Sequence, residues 1–223
     1  MRIERLPTDF AATRAALWIA DRLWEAISDR GRAHVAVSGG TTPAAMLAAL
    51  GALPLPWPEI HVWQVDERVA PDGDPARNAS QLTPLRAAHL HPLPVTAADL
   101  LAASAEYTAE LTRLCAGVLD VVHLGLGDDG HTASWPPGRP PATDVDVAVT
   151  PEFRGHVRLT LTPPAVNRAR AVMLLVAGST KAAVLERFLA GDPTLPASLV
   201  RREHLTVIAD DDALAANHRA PSS

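Results

Sequence analysis

Much of what this sequence lacks is informative. It has one cysteine, Cys115, in 223 residues, so no internal disulfide can form. It has no uninterrupted apolar run of about eighteen residues, which a membrane-spanning helix needs. Basic residues are not in excess: the formal charge is −5, which argues against a sequence-independent grip on nucleic acid. Met1-Arg2-Ile3-Glu4-Arg5 lacks the charged-then-apolar layout of a signal peptide. Together these absences predict a cytoplasmic protein with neither nucleic acid nor membrane as partner. Charged residues are only 20% of the chain against 48% hydrophobic, enough apolar surface to offset the entropy of ordering. Lysine is nearly missing. Of 20 basic residues only Lys181 is lysine, in a chain rich in alanine, arginine and proline, which suggests that an ammonium is wanted there.

What is present reads as alternating strands and helices. Phe10, Leu17, Ala20, Trp24 and Ile27 recur at helical spacing before a stop at Gly31. Residues 33–37 form a buried strand leading into Ser38-Gly39-Gly40-Thr41-Thr42-Pro43. Thr42 suits an N-cap and Pro43 a first helical residue, predicting a helix to about Leu50. Strands are predicted at 60–65, 119–124, 156–161, 171–176 and 205–209. Helices are predicted over 99–116, with a stop at Gly117, and from Thr180 to Leu189. Residues 69–78 read as a polar surface loop, 136–141 as a proline-rich break, and 220–223 as a fraying tail. No repeat or long linker divides the chain, so one domain is expected over 1–223, with its core at about 5–210. The alternation predicts an α/β fold with a mainly parallel sheet covered by helices on both faces. Ligands in such sheets sit beyond the carboxyl ends of the strands. Segments 38–43, 66–68, 125–131 and 178–181 all fall at those ends.

Each segment has its own chemistry. In Ser38 to Pro43, two glycines let backbone approach a ligand, and the following helix offers free amides: a cradle for an anion, or an ordinary capped turn. The Gly-Lys-Ser/Thr ending of a nucleotide-binding loop is missing. Ala36 stands where a nucleophile elbow requires glycine, so a covalent serine mechanism has little support. Gly178-Ser179-Thr180-Lys181 puts the lone lysine at a helix start, a conflict that a bound anion would remove. Gly125 to Gly130 fits Gly-x-Gly-x-x-Gly. However, Asp128 and Asp129 would repel a pyrophosphate, and Pro136-Pro137 prevents the long helix of a dinucleotide fold. That loop instead presents His131 next to carboxylates, with an intrinsic pKa of about 6.5 suited to proton transfer. His34, His61 and His123 lie within strands and read as core or sheet-face residues. His89 and His91 lack the further ligands of a zinc site. In Asp66-Glu67-Arg68 a carboxylate could orient an imidazole or a water, and Arg68 could clamp an oxyanion. Taken alone, the tripeptide reads as a local surface ion pair.

In their order and spacing these segments resemble the 6-phosphogluconolactonase family. The resemblance rests on Ser38 to Pro43, Asp66-Glu67-Arg68-Val69, Gly125 to Ser134, Arg158 to Thr162, Asn167-Arg168-Ala169 and Gly178 to Lys181. It implies an open Rossmann-like sheet and hydrolysis of 6-phosphoglucono-1,5-lactone to 6-phosphogluconate, the second step of the oxidative pentose phosphate pathway; a monomer is expected, although the sequence does not fix oligomeric state. It also implies that no metal or organic cofactor is needed. By similarity His131 is the general base and Asp129 orients it or the water. Gly39, Gly40, Thr41, Asp66, Arg68, Arg158 and Lys181 are candidates for holding the phosphate and the ring oxygens. Two departures stand out. Arg77-Asn78 replaces the family's usual Ser-Asn, and Trp135-Pro136-Pro137-Gly138 replaces an aliphatic residue, Phe and Pro-Gly. The nearest alternative is glucosamine-6-phosphate deaminase/isomerase. That enzyme typically carries tyrosine where Arg68 stands and Phe-Asn-Glu-Pro where Ser134-Trp135-Pro136 stands. A non-catalytic sugar-phosphate sensor of the same fold is a third reading, but it usually comes with a DNA-binding extension that this chain does not show.

Overall fold

The computed structural model describes residues 1–139, 141 and 143–215; the predicted tail at 220–223 lies outside the described residues. The central sheet has seven parallel strands: β1 (Arg2–Leu6), β2 (Ala33–Val37), β3 (Ile60–Gln64), β5 (His89–His91), β6 (Val121–Gly125), β9 (Ala171–Val176) and β10 (Leu205–Asp210). Their order is β1-β10-β9-β6-β2-β3-β5. Val35 and Val37 of β2 face a core shared with helices α1 (Ala11–Arg30) and α2 (Thr41–Gly51). Ala36, between them, faces a core shared with α3 (Leu100–Cys115), the short α4 (Pro163–Asn167) and α5 (Ala182–Ala190). Helices therefore cover both faces, as the alternating pattern requires.

Several expectations change in detail. The strand predicted at 156–161 does not join the parallel sheet. As β8 (His156–Leu161) it pairs antiparallel with β4 (Asp66–Arg68) and β7 (Val147–Phe153) in a separate three-stranded sheet. Periodicity finds a strand but not its partner, and β8 is joined to β7 by a tight hairpin at Arg154-Gly155. Strands β1, β4, β5 and β7 are not predicted: β1 and β5 are short edge strands with little apolar signal, and Asp66-Glu67-Arg68, read as the end of the strand at 60–65, forms β4 of the other sheet. Of the predicted stripe, Ala20 is buried and Ile27 half-buried against the core, whereas Phe10, just before α1, and Leu17 and Trp24 lie on the exposed side of the helix. Its buried side is the alanine-rich face of Ala15, Ala16, Ile19, Leu23 and Ala26. Small side chains let α1 lie close to α2 and the sheet, so residue size decides the inward face here. The cap of α2 is Gly40, not Thr42, because the helix begins two residues earlier, at Thr41. Gly40 sits at φ +131°, a conformation open to glycine.

The topology then opens a crevice. The chain leaves β2 toward β3 on one side and leaves β6 toward β9 on the other. Loops 38–43 and 125–131 diverge at this switch point, at the carboxyl ends of adjacent strands.

Candidate active site

A cleft of about 340 Å³ occupies that crevice. All four loops predicted at strand ends contribute to it. Gly39, Gly40 and Thr41 come from the β2 loop, Asp66 and Arg68 from β4, His131 from the β6 loop, Arg158 from β8, and Lys181 from the short turn before α5. Asp129 stands behind His131 and supports it from outside the lining. His131 and Lys181 thus share one cleft.

The His131 loop is built around close backbone approach. A Cβ on Gly127 would lie 1.9 Å from His131 Nδ1, so only glycine lets the imidazole sit there. Gly127 N–H donates to the His131 carbonyl at 2.8 Å, closing the loop. Asp129 Oδ1 accepts from the His131 amide at 3.1 Å and lies 2.5 Å from its Nδ1. The Phe153 ring packs edge-on against the imidazole at 5.3 Å. Burial pushes the His131 pKa down; the hydrogen bond and charge of Asp129 push it back without prevailing, so it stays below its ordinary value. Burial alone would raise Asp129, but the hydrogen bonds from His131 and the charge of Arg154 outweigh it and hold the carboxyl low. An ionised Asp129 can only accept, so Nδ1 carries the proton and Nε2 keeps its lone pair. Such a pair can take a proton from water at neutral pH.

Asp66 is buried on the cleft floor, where it accepts from Ser134 Oγ at 2.6 Å and faces Arg158 Nη1 at 3.7 Å. Burial raises its pKa, opposed by Ser134 and Arg158. Glu67 does not form the surface ion pair read from the tripeptide; it is fully buried. It accepts from the amides of Arg68, Asn78 and Ala79 at 2.7–2.8 Å and from Gln64 Nε2 at 2.9 Å. Arg77, one of the two departures, has a clear local reason: its guanidinium meets Glu67 at 3.2 Å and Asp72 at 3.0 Å. Asn78 keeps its place, donating to the Asp66 carbonyl at 3.0 Å. Its Oδ1 is what a Cβ on Gly39 would strike, at 2.2 Å. The other departure, Trp135, is fully buried and donates Nε1–H to the Leu161 carbonyl at 2.8 Å, becoming core rather than cleft wall.

The cleft is rich in cations. β4 and β8 set Arg68 directly opposite Arg158, an unfavourable pairing unless an anion lies between. Arg68 donates to the Ala76 carbonyl at 2.6 Å and, among the described residues, meets no carboxylate. Lys181 pairs with the exposed carboxylate of Asp128, so the conflict inferred at its helix start is met by a side chain. Arg154, also on the cleft wall, was missed. It lies outside every motif, and only the β7–β8 hairpin brings it here. Among the described residues no group of three or more His, Cys, Asp or Glu is arranged to hold a metal ion.

Residues 8–209 match the sequence profile of the family described as glucosamine-6-phosphate isomerases/6-phosphogluconolactonase. The chain belongs to this family. A relative from Synechocystis sp. named 6-phosphogluconolactonase is 39% identical over 182 residues, covering 75% of this chain and 76% of that one. The crystal structure of a 6-phosphogluconolactonase from Shewanella baltica superposes with a TM-score of 0.84 at 26% identity, over 94% of this chain and 97% of the other. A monomeric glucosamine-6-phosphate deaminase gives the same TM-score of 0.84 at 20% identity, over 97% and 100% of the two chains. That last likeness concerns the fold alone. Both branches of the family share this sheet, so side chains in the cleft must separate them.

Proposed function

We propose that this chain is a 6-phosphogluconolactonase: an enzyme that hydrolyses 6-phospho-D-glucono-1,5-lactone to 6-phospho-D-gluconate in the oxidative pentose phosphate pathway, with His131 as general base. The observation that carries this reading is a neutral imidazole fixed by Asp129 at 2.5 Å on the wall of a cation-rich cleft. Nε2 removes a proton from water as its oxygen adds to the lactone carbonyl carbon. The carbonyl π electrons move to oxygen, and the cleft's guanidinium and amide donors stabilise that oxyanion. Collapse of the tetrahedral intermediate breaks the bond from carbon to the ring oxygen. The imidazolium at His131 returns its proton to that oxygen, leaving an open-chain acid that ionises. Asp129 keeps the imidazole in the required tautomer and stabilises its charged form.

Arg68, Arg158 and Lys181, with the glycine turn at Gly39, Gly40 and Thr41, supply the phosphate and ring-oxygen contacts. Asp66 holds Arg158 and Ser134 in place from below. The remote phosphate then contributes binding energy that aligns the carbonyl with the water. Arg68 and the buried Ser134-Trp135 segment favour this reading over the deaminase.

The test is proton release from freshly prepared lactone, following wild type and His131→Ala. The variant should lose most of kcat, about 10²-fold or more, with little change in KM. Near-normal turnover would remove His131 from the mechanism, and absence of activity in wild type would reject the assignment. Ammonia release from glucosamine 6-phosphate would favour the deaminase instead.

A further inference from the structure

Arg154 occupies a position that its side chain does not favour. It sits at φ +52° and the next residue, Gly155, at +82°, the two left-handed positions of a tight hairpin turn between β7 and β8. Glycine, asparagine or aspartate are the residues that suit the first of these, and arginine is strained there. Stability does not explain its presence. Among the described residues its one ion pair, Nη2 to Asp129 Oδ2 at 3.2 Å, joins side chains that are 52% and 33% exposed; its guanidinium also lies 5.4 Å from the centre of the Phe153 ring, and exposed contacts of both kinds contribute little. What the pair does is geometric. Asp129 uses Oδ1 for both the amide and the ring of His131, and Oδ2 is the oxygen that Arg154 holds. The neighbouring Phe153 packs on the same imidazole. One hairpin tip therefore touches both members of the dyad.

Resting on the lactonase reading above, we propose that Arg154 is a positioning residue for this reaction: from the tip of the β7–β8 hairpin it clamps Asp129 by its second oxygen and so keeps the Asp129–His131 hydrogen bond in register. The charged groups facing the imidazole are Asp129 on its own loop, Arg154 on the hairpin and Asp66 on β4. Asp129 pulls the imidazole pKa up and Arg154 pulls it down. A clamp and a mere nearby charge therefore predict opposite results when Arg154 is removed. Without a clamp Asp129 swings away and its upward pull is lost; without a mere charge, the downward pull alone disappears.

The experiment compares wild type, Arg154→Gly and Arg154→Lys. Glycine fits the left-handed turn better than arginine, so Arg154→Gly should melt no lower than wild type while lacking the guanidinium. Two measurements are made on each: NMR of His131 (the Nδ1 proton signal and ring titration) and the kinetics of lactone hydrolysis. In Arg154→Gly the downfield Nδ1 proton should broaden or move upfield, the imidazole pKa should fall, and kcat should drop about tenfold with KM changed less than twofold. Arg154→Lys, which restores one donor, should recover part of the signal and of kcat. An unchanged Nδ1 proton with a raised pKa, or wild-type kcat in Arg154→Gly, would overturn the proposal. If wild type fails to hydrolyse the lactone but the NMR changes occur as described, the substrate assignment fails and the clamp stands.

Discussion

Replacing Gly127 with alanine tests the proposed base without altering any functional group. The added methyl carbon would lie 1.9 Å from His131 Nδ1 and 2.0 Å from Cε1. Ordinary contact between such atoms needs about 3.5 Å, so the ring must retreat by roughly 1.5 Å. Gly127 is not among the glycines with positive φ, so alanine can adopt its backbone without strain. The ring is the end of a rotatable side chain facing a cleft and can yield, so the fold should survive. Alanine also lowers unfolded-chain entropy, a gain of about 0.4–1 kcal/mol, which should keep the melting temperature near that of wild type. The yielding ring loses its 2.5 Å contact with Asp129 and its alignment with the water. Misplacement by about 1 Å can cost about 10²-fold in rate, so kcat should fall by about that factor. Proton release from the lactone gives the rate, and a thermal melt gives stability. Adding His131→Ala to Gly127→Ala should then cost little more, because one defect already contains the other. If Gly127→Ala keeps wild-type kcat while remaining folded, the argument that imidazole placement limits the reaction is wrong.

Asp129→Asn should lower kcat on the order of 10²-fold with KM nearly unchanged, since an amide can present either a donor or an acceptor to Nδ1 and no longer fixes the tautomer; pre-steady-state and steady-state rates on the lactone check this. Lys181→Ala should act mainly on KM, raising it about tenfold or more, and should weaken competition by inorganic phosphate in the same assay. Four histidines outside the dyad make the fold acid-sensitive, and burial lowers His91 among them. Burial pushes His34 down to about 3, His61 to about 4 and His123 to about 3. Their folded pKa values lie below the unfolded value of about 6.5, so their contribution is fully present above that pH. It is lost progressively as pH falls from about 6.5 toward 3, and melting temperature should drop across that window. His123→Asn keeps an acceptor for the Ser38 amide, which His123 Nδ1 meets at 3.3 Å. Its acid-side decline, followed by melting temperature against pH, should be shallower than that of wild type.

The alternation of apolar strands with helical periods settled the parallel sheet and its covered faces, because both signals are local and repeat along the chain. Glycine spacing marked the loops at strand ends, since close backbone approach leaves glycine as the residue that fits at Gly39 and Gly127. Composition alone singled out Lys181. Tertiary structure decided what no local pattern encodes. It moved β8 out of the parallel sheet and set Arg158 against Arg68, because strand pairing joins residues far apart in sequence. It took Glu67 from an assumed surface pair to a buried anchor for Asn78 and Ala79. It also swung Arg154 onto Asp129 from a hairpin with no motif of its own. The sequence carries the chemistry of each group, but the charge partners that set its behaviour come from other strands and are fixed only when the chain closes on itself.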